Sequence, residues 1–214
     1  NSAKKALVKI AEHTKNLDAL VFVGVPIAVG GELYNVAAAL NHGNILGFTT
    51  KSFLPNYGEF YEMRQFRPGP KKAEKILFGG KEIPFGPQLL FVEKQMTNLI
   101  VSAEICEDVW SPVPPSIEAA REGATVIVNC SASDETIGKA SYRIAENGTI
   151  LAEAKRFSNG IIYTEFDVQK IANERRKNTT FTETQEHVLP RIPFGLEQTE
   201  TILTRTFPSR PFVP

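Results

Sequence analysis

The sequence predicts an α/β protein whose sheet is at least partly parallel. Two apolar runs, Thr97–Ile105 and Ala124–Asn129, are separated by a helical segment over Ser116–Glu122. A strand, a helix and a second strand in this order form a βαβ unit, which requires parallel pairing. A third apolar run, Ala19–Pro26, is rich in β-branched residues on both faces, which favours a central strand covered on both sides.

The remaining elements follow from periodicity and turn residues. Apolar residues at three-and-four spacing predict a helix over Ser2–Thr14. A hairpin is predicted from Leu33–Leu40 and Ile45–Thr50 around a turn-forming tip, and Leu54–Gly69 reads as a functional loop because prolines and glycines break any period. Further strands are predicted at Lys75–Phe78, Gln88–Val92 and Gly160–Asp167, and a hairpin is predicted within Ile144–Ala154. The second strand of the βαβ unit, Ala124–Asn129, is predicted to be buried.

Composition excludes several classes of protein. The 214 residues carry 24 Lys and Arg against 24 Asp and Glu, and this balance lacks the basic excess of a nucleic-acid binder. No apolar run approaches the roughly 20 residues that span a bilayer, so no membrane partner is expected. The three histidines lie far apart without a zinc-binding spacing, and we expect no metal. The chain is expected to be cytoplasmic.

Two cysteines, Cys106 and Cys130, follow predicted strands. An arbitrary free cysteine is most often a small core residue. Cys106 departs from that expectation because two acidic residues, Glu107 and Asp108, follow it, and neighbouring carboxylates disfavour a thiolate unless a cation compensates. A lysine would be the natural compensating group. Cys130 precedes small neutral residues, so core packing remains its expected role.

Two motifs carry a resemblance to a known family. The run Lys51–Glu62, followed by Ile105–Trp110, is similar to the nitrilase, or carbon-nitrogen hydrolase, superfamily. Within it, the segments Asn129–Ser133 and Thr136–Lys139 resemble the glutaminase domain of glutamine-dependent NAD synthetases. The resemblance covers nearly the whole chain.

The resemblance implies a nitrilase-like α-β-β-α sandwich with a Glu-Lys-Cys triad. Lys51 and Cys106 match the lysine and the cysteine. The triad glutamate lies upstream in the family and is not present in this sequence, and a core strand of the family is missing next to Arg143 and Ile144. We expect the chain to be part of a longer enzyme, with a glutaminase domain over residues 1–206 and the start of a linker over 207–214.

The chemistry of amide hydrolysis is compatible with these residues. Cys106 would attack the amide as a thiolate, and Lys51 would stabilise the oxyanion together with the backbone N–H of Glu107. Glu59 and Glu62 are accessory candidates that would orient Lys51. An alternative is that these two carboxylates form surface ion pairs with Arg64 or Arg67 in the same loop.

Free glutamine also presents an ammonium and a carboxylate. Glu107 would bind the ammonium and Lys139 the carboxylate, an arrangement that the resemblance supports. Tyr57, Trp110 and Ser133 would shape the slot. The alternative for Trp110 is a core aromatic side chain.

Three functions stay open at this stage. The leading one is a glutaminase that supplies ammonia to a synthetase domain of the same polypeptide. That absent domain would use ATP and Mg²⁺, whereas no cofactor is expected in this one. The others are a stand-alone amidase acting on another carboxamide and a non-catalytic assembly domain. A homo-oligomer is expected.

Overall fold

The computed structural model describes residues 2–133, 142–178, 188–198 and 204. The helices are α1 (Ser2–His13), α2 (Pro115–Arg121) and α3 (Val168–Lys177). The strands are β1 (Val21–Val29), β2 (Glu32–Asn41), β3 (Asn44–Thr50), β4 (Glu74–Phe78), β5 (Lys81–Gly86), β6 (Leu90–Glu93), β7 (Ile100–Glu104), β8 (Val126–Asn129), β9 (Arg143–Glu146), β10 (Thr149–Glu153) and β11 (Arg191–Phe194). Single 3-10 turns cover Glu62–Arg64 and Cys106–Trp110.

Two main sheets carry these strands. The first has the order β1-β2-β3-β5-β4, and its consecutive hairpins are antiparallel while β3 and β5 pair in parallel. The second has the order β11-β6-β7-β8, in which β7 and β8 pair in parallel through α2. The parallel βαβ unit is therefore confirmed. Strands β9 and β10 form a separate two-stranded hairpin.

Helix α1, the two main sheets and helix α2 form the four layers of a sandwich. Helix α1 covers the outer face of the first sheet, where Leu7 packs with Ile27 and Phe48. The two sheets face each other through Phe22 and Phe91, whose ring centroids lie 5.5 Å apart. Helix α2 covers the outer face of the second sheet. Burial of each large apolar side chain contributes about 1.5–3 kcal/mol, so these three contact layers hold the sandwich together.

Several sequence predictions are confirmed by this arrangement. The first helix and the β2-β3 hairpin have nearly the predicted bounds, because both patterns keep a clear apolar face over many residues. The predicted hairpin within Ile144–Ala154 is present at residues 143–153, and it turns at Asn147 and Gly148. No helix among the described residues is long and apolar enough to cross a membrane.

Other predictions are wrong. Strand β5 was not predicted, since Pro84 interrupts its pattern, although its residues Lys81–Phe85 pair with β4. The predicted strand at Gly160–Asp167 is not a strand, and Ile161 and Tyr163 are largely exposed there. The run has strand-forming residues, but no sheet edge receives it. Helix α3 and strand β11 were also missed.

Strand β8 differs from the fully buried strand that was predicted. It lies at the end of the second sheet, and its residues alternate between half-buried and exposed. The region where a core strand was expected to be missing adjoins residues 134–141, which lie outside the described residues, as does the predicted linker at 207–214.

Candidate active site

A cavity of about 760 Å³ opens between the two sheets at the ends of β3 and β7. Its walls include both predicted triad members, Lys51 and Cys106, together with Glu62, Asn35 and Cys130. The volume lies within the range of about 300–1,000 Å³ that is usual for small-molecule sites. Two residues that are 55 positions apart in the motifs therefore share one pocket, each at the carboxyl end of a strand.

Cys106 begins the 3-10 turn that follows β7. Its φ is 47°, in the left-handed region that a residue with a Cβ seldom adopts. The side-chain amide of Asn129, at the end of β8, donates to the carbonyl of Cys106 at 3.3 Å. Backbone conformations of this kind are frequent at active sites, where the surrounding contacts hold them. The turn thus places the half-buried thiol against the cavity instead of continuing the strand.

Lys51 directly follows β3, and only 3% of its side chain is exposed. Its Nζ donates to Oε2 of Glu62 at 2.5 Å, and the other carboxylate oxygen of Glu62 accepts from the amide of Asn35 at 2.8 Å. The N–H of Lys51 also donates to the carbonyl of Asn35, at 2.9 Å. Because both oxygens of the Glu62 carboxylate accept hydrogen bonds, the ammonium of Lys51 has a fixed position in the cavity wall.

The two accessory carboxylates have different surroundings. Glu62 contacts Lys51, as an orienting role requires, whereas Glu59 is exposed and does not line the cavity. The alternative of a surface ion pair does not describe Glu62. Arg67 instead pairs with Glu32, at 3.4 Å.

The structure brings together only some of the residues that were predicted to bind substrate. Tyr57 donates through its hydroxyl to Glu107 at 2.8 Å, and this bond raises the pKa of the exposed Tyr57. Trp110 is 65% exposed, so it is not a core aromatic. Ser133 lines a neighbouring depression rather than the cavity that holds Cys106. Lys139 lies outside the described residues.

Sequence reasoning missed two polar residues of the site. Asn35 interrupts the apolar pattern of β2, which was a usable signal, but its partner Glu62 is 27 residues away. Asp108 is fully buried, and burial raises the pKa of its carboxyl even though the backbone N–H groups of Ile105, Phe53 and Ser52 oppose that shift. An acidic residue three positions after Ile105 is a recognisable capping signal for the turn.

Cys130 lines the same cavity as Cys106 and packs with it against Ala37, Ala103 and Ile105. Burial raises the pKa of the Cys130 thiol, which keeps it protonated at neutral pH. A protonated thiol is a poor nucleophile. These contacts favour packing as the role of Cys130.

We expect Cys130→Ala to lower the free energy of unfolding by about 1 kcal/mol and to leave turnover nearly unchanged, as for a small packed residue. Denaturant unfolding and a rate assay on the same preparation measure both effects. A specific loss of thioester formation would reverse the ranking of the two cysteines.

Solved structures define the class of fold. The chain aligns with a carbon-nitrogen hydrolase from Helicobacter pylori G27 at a TM-score of 0.58 and 15% identity, over 86% of this chain and 73% of the other. It also aligns with Nit3 of Saccharomyces cerevisiae, a member of the nitrilase superfamily, at a TM-score of 0.54 and 18% identity, over 86% and 71% of the two chains. The fold is that of the nitrilase-superfamily carbon-nitrogen hydrolases, as the motifs predicted.

Sequence relatives are more specific. A glutamine-dependent NAD(+) synthetase of Mycobacterium tuberculosis is 32% identical over 260 residues, covering all of this chain and 38% of the relative. One from Cytophaga hutchinsonii has a solved structure with a TM-score of 0.53 and 30% identity, covering 65% of this chain and 22% of that chain. No protein-family model matches. The chain is a relative of the glutamine-dependent NAD(+) synthetases and spans little more than a third of the mycobacterial protein's length.

Proposed function

We propose that this chain hydrolyses the side-chain amide of glutamine and releases ammonia for a synthetase that forms NAD(+). The proposal rests on one observation: Cys106, on a strained turn, lines the same cavity as the buried Lys51–Glu62 pair. Relatives that bear the name of a glutamine-dependent NAD(+) synthetase support this choice of substrate.

The first step forms a thioester. In this proposal the glutamate that the family resemblance places upstream takes the proton of the Cys106 thiol. The thiolate then attacks the amide carbon of glutamine, and the carbonyl oxygen takes up the negative charge. Lys51 donates to that oxyanion, and the N–H of Glu107, at the start of the 3-10 turn, is the second donor. A fixed donor of this kind contributes about 3–4 kcal/mol to transition-state stabilisation. Glu62 holds the ammonium in place before the charge develops, so no reorganisation is needed.

The second half of the reaction releases the products. The carbon-nitrogen bond breaks as the leaving ammonia takes a proton. Water then hydrolyses the thioester, which releases free glutamate as the product and restores the Cys106 thiol. In this proposal the proton comes from the glutamate that the family resemblance places ahead of Ser2. Glu62 is occupied with Lys51 and Asn35, so we assign it an orienting role.

Substrate binding is proposed at the rim of the cavity. Glu107 accepts the ammonium of glutamine beside the Tyr57 hydroxyl that it already binds, and Trp110 offers an exposed ring at the same turn. Lys139 binds the substrate carboxylate in this proposal.

Replacing Lys139 with alanine is expected to raise KM for glutamine more than it lowers kcat, because an interaction with the remote carboxylate is made equally in the ground and transition states. Steady-state kinetics over a range of glutamine concentrations measure the two constants separately. An unchanged KM with a collapsed kcat would contradict the assignment.

The wider proposal concerns the whole protein. We propose that an ATP-dependent synthetase domain, with Mg²⁺, consumes the ammonia within the same polypeptide, that the protein is cytoplasmic and that it forms a homo-oligomer. The chain spans 38% of its mycobacterial relatives, which leaves room for such a domain in those proteins.

A reactive glutamine analogue tests the proposal. The native polypeptide is incubated with a diazoketone analogue of glutamine, and the modified residue is located by mass spectrometry. Labelling of Cys106 that glutamine prevents, together with ammonia release from glutamine, is the expected result. Ammonia release from another carboxamide but not from glutamine would indicate a stand-alone amidase. An unreactive Cys106 would favour a non-catalytic assembly domain.

A further inference from the structure

Asp108 is a fully buried carboxylate that the proposed reaction does not use. Its Oδ1 accepts hydrogen bonds from the backbone N–H groups of Ser52 and Phe53, at 3.0 and 2.9 Å. Its Oδ2 accepts from the N–H of Ile105, at 2.9 Å. All three donors belong to the backbone, so the carboxylate fixes chain positions rather than side chains.

The sequence positions of these donors are informative. Ser52 and Phe53 directly follow Lys51, and Ile105 directly precedes Cys106. Lys51 extends from the five-stranded sheet, whereas Cys106 extends from the four-stranded sheet. One carboxylate therefore ties together the two segments that carry the proposed oxyanion donor and the proposed nucleophile.

We propose that Asp108 is a positioning residue that sets the distance between Lys51 and Cys106 by clamping their two backbone segments. The inference rests on the proposed function for its effect on rate, but the clamp itself is a matter of structure. Breaking the clamp lets either segment move while the cavity and the side chains remain. Displacements of about 1 Å are known to reduce rates by about 10²-fold in well-ordered active sites.

The substitution Asp108→Asn tests the clamp with little change in volume. An asparagine offers one acceptor oxygen, and its NH₂ group cannot accept from a backbone N–H. Whichever way the amide turns, it keeps one segment and loses the other. Asp108→Glu retains the charge but displaces one segment by a methylene, and it provides a second variant if the asparagine protein does not fold.

Glu93 provides a matched control. It too is a fully buried carboxylate bound by backbone N–H groups, those of Gln95, Met96 and Leu196, but none of these donors adjoins Lys51 or Cys106. The variant Glu93→Gln makes the same chemical change away from the proposed site. Any general cost of neutralising such a carboxylate therefore appears in both variants.

Two measurements on the native polypeptide decide the matter. In Asp108→Asn, we expect faster amide hydrogen exchange at residues 51–53 or 105–106 and a loss of about 10²-fold in kcat with KM little changed. In Glu93→Gln, we expect faster exchange near Gln95 and Leu196 with kcat retained in the folded fraction. Unchanged exchange around Asp108, or a kcat no lower than that of the control, would overturn the proposal.

The outcomes separate the clamp from the proposed function. If the wild-type polypeptide does not hydrolyse glutamine, the proposed function fails, yet the exchange measurement still shows whether Asp108 ties the two segments. If the wild-type polypeptide is active and Asp108→Glu or Asp108→Asn matches its kcat, the positioning role fails while the proposed function stands.

Discussion

Replacing Cys106 with alanine is expected to lower glutamine-dependent ammonia release by at least about 10⁴-fold, because removal of a covalent nucleophile leaves only binding and oxyanion stabilisation. Under the proposed function, synthesis of NAD(+) supported by free ammonia should continue in the same polypeptide, because only the glutaminase half-reaction would use the thiol. Parallel assays with glutamine and with an ammonium salt measure the two activities on one preparation.

Cys130→Ala is the matched control for this variant, because both residues line the cavity and pack against the same apolar cluster. The control should keep both activities. Equal loss of the glutamine-dependent and ammonia-dependent activities in Cys106→Ala would contradict the role of Cys106, since it would indicate a general structural defect.

Lys51→Met is expected to lower glutamine hydrolysis by about 10²–10³-fold, the usual effect of removing one oxyanion donor. Methionine keeps much of the buried aliphatic volume while removing the charge. Glu62 then loses its ammonium partner but retains the hydrogen bond from Asn35, so Glu62 still ties the loop to β2. Single-turnover formation of the thioester measures the defect directly.

A control for this variant exists on the surface. Lys75 pairs with Glu82 at 3.2 Å, but both side chains are about two-thirds exposed, and such pairs contribute little to stability. Lys75→Met should therefore be indistinguishable from wild type in turnover. Circular dichroism and the unfolding midpoint establish whether Lys51→Met is folded, because removal of one partner of a buried pair is destabilising. A folded Lys51→Met variant with most of its turnover would remove Lys51 from the mechanism.

The parts of the fold that the sequence predicted are those with strong local patterns. The α1 helix and the β2-β3 hairpin have periodicities that point to one structure only. The run from Gly160 to Asp167 has strand-forming residues as well, yet it is not a strand, because pairing depends on a distant sheet edge. Helix α3 was missed for a different reason: it is strongly polar, and only Val168, Ile171 and Ala172 of its ten residues are apolar.

The candidate site shows the same division. Lys51 and Cys106 were identified through sequence motifs, and Glu62 through its place in the first motif. The contacts of Asn35 and Asp108 join residues 27 and more than 50 positions apart, and no local pattern encodes such pairings. Residue type alone could not place Ser133 or Glu59, because the course of the loops decides which side chains reach the cavity.

The position of the cavity at the seam between the two sheets has a consequence for how this protein tolerates change. Lys51 and Cys106 each belong to a different sheet, so their separation depends on how the sheets slide and rotate against one another. The edge-to-face contact of Phe22 with Phe91 and the small Ala37 and Ala103 between the sheets set that spacing. Substitutions in this interior are therefore transmitted to the reacting groups as changes in alignment. The packing between the two sheets therefore controls the separation of Lys51 and Cys106.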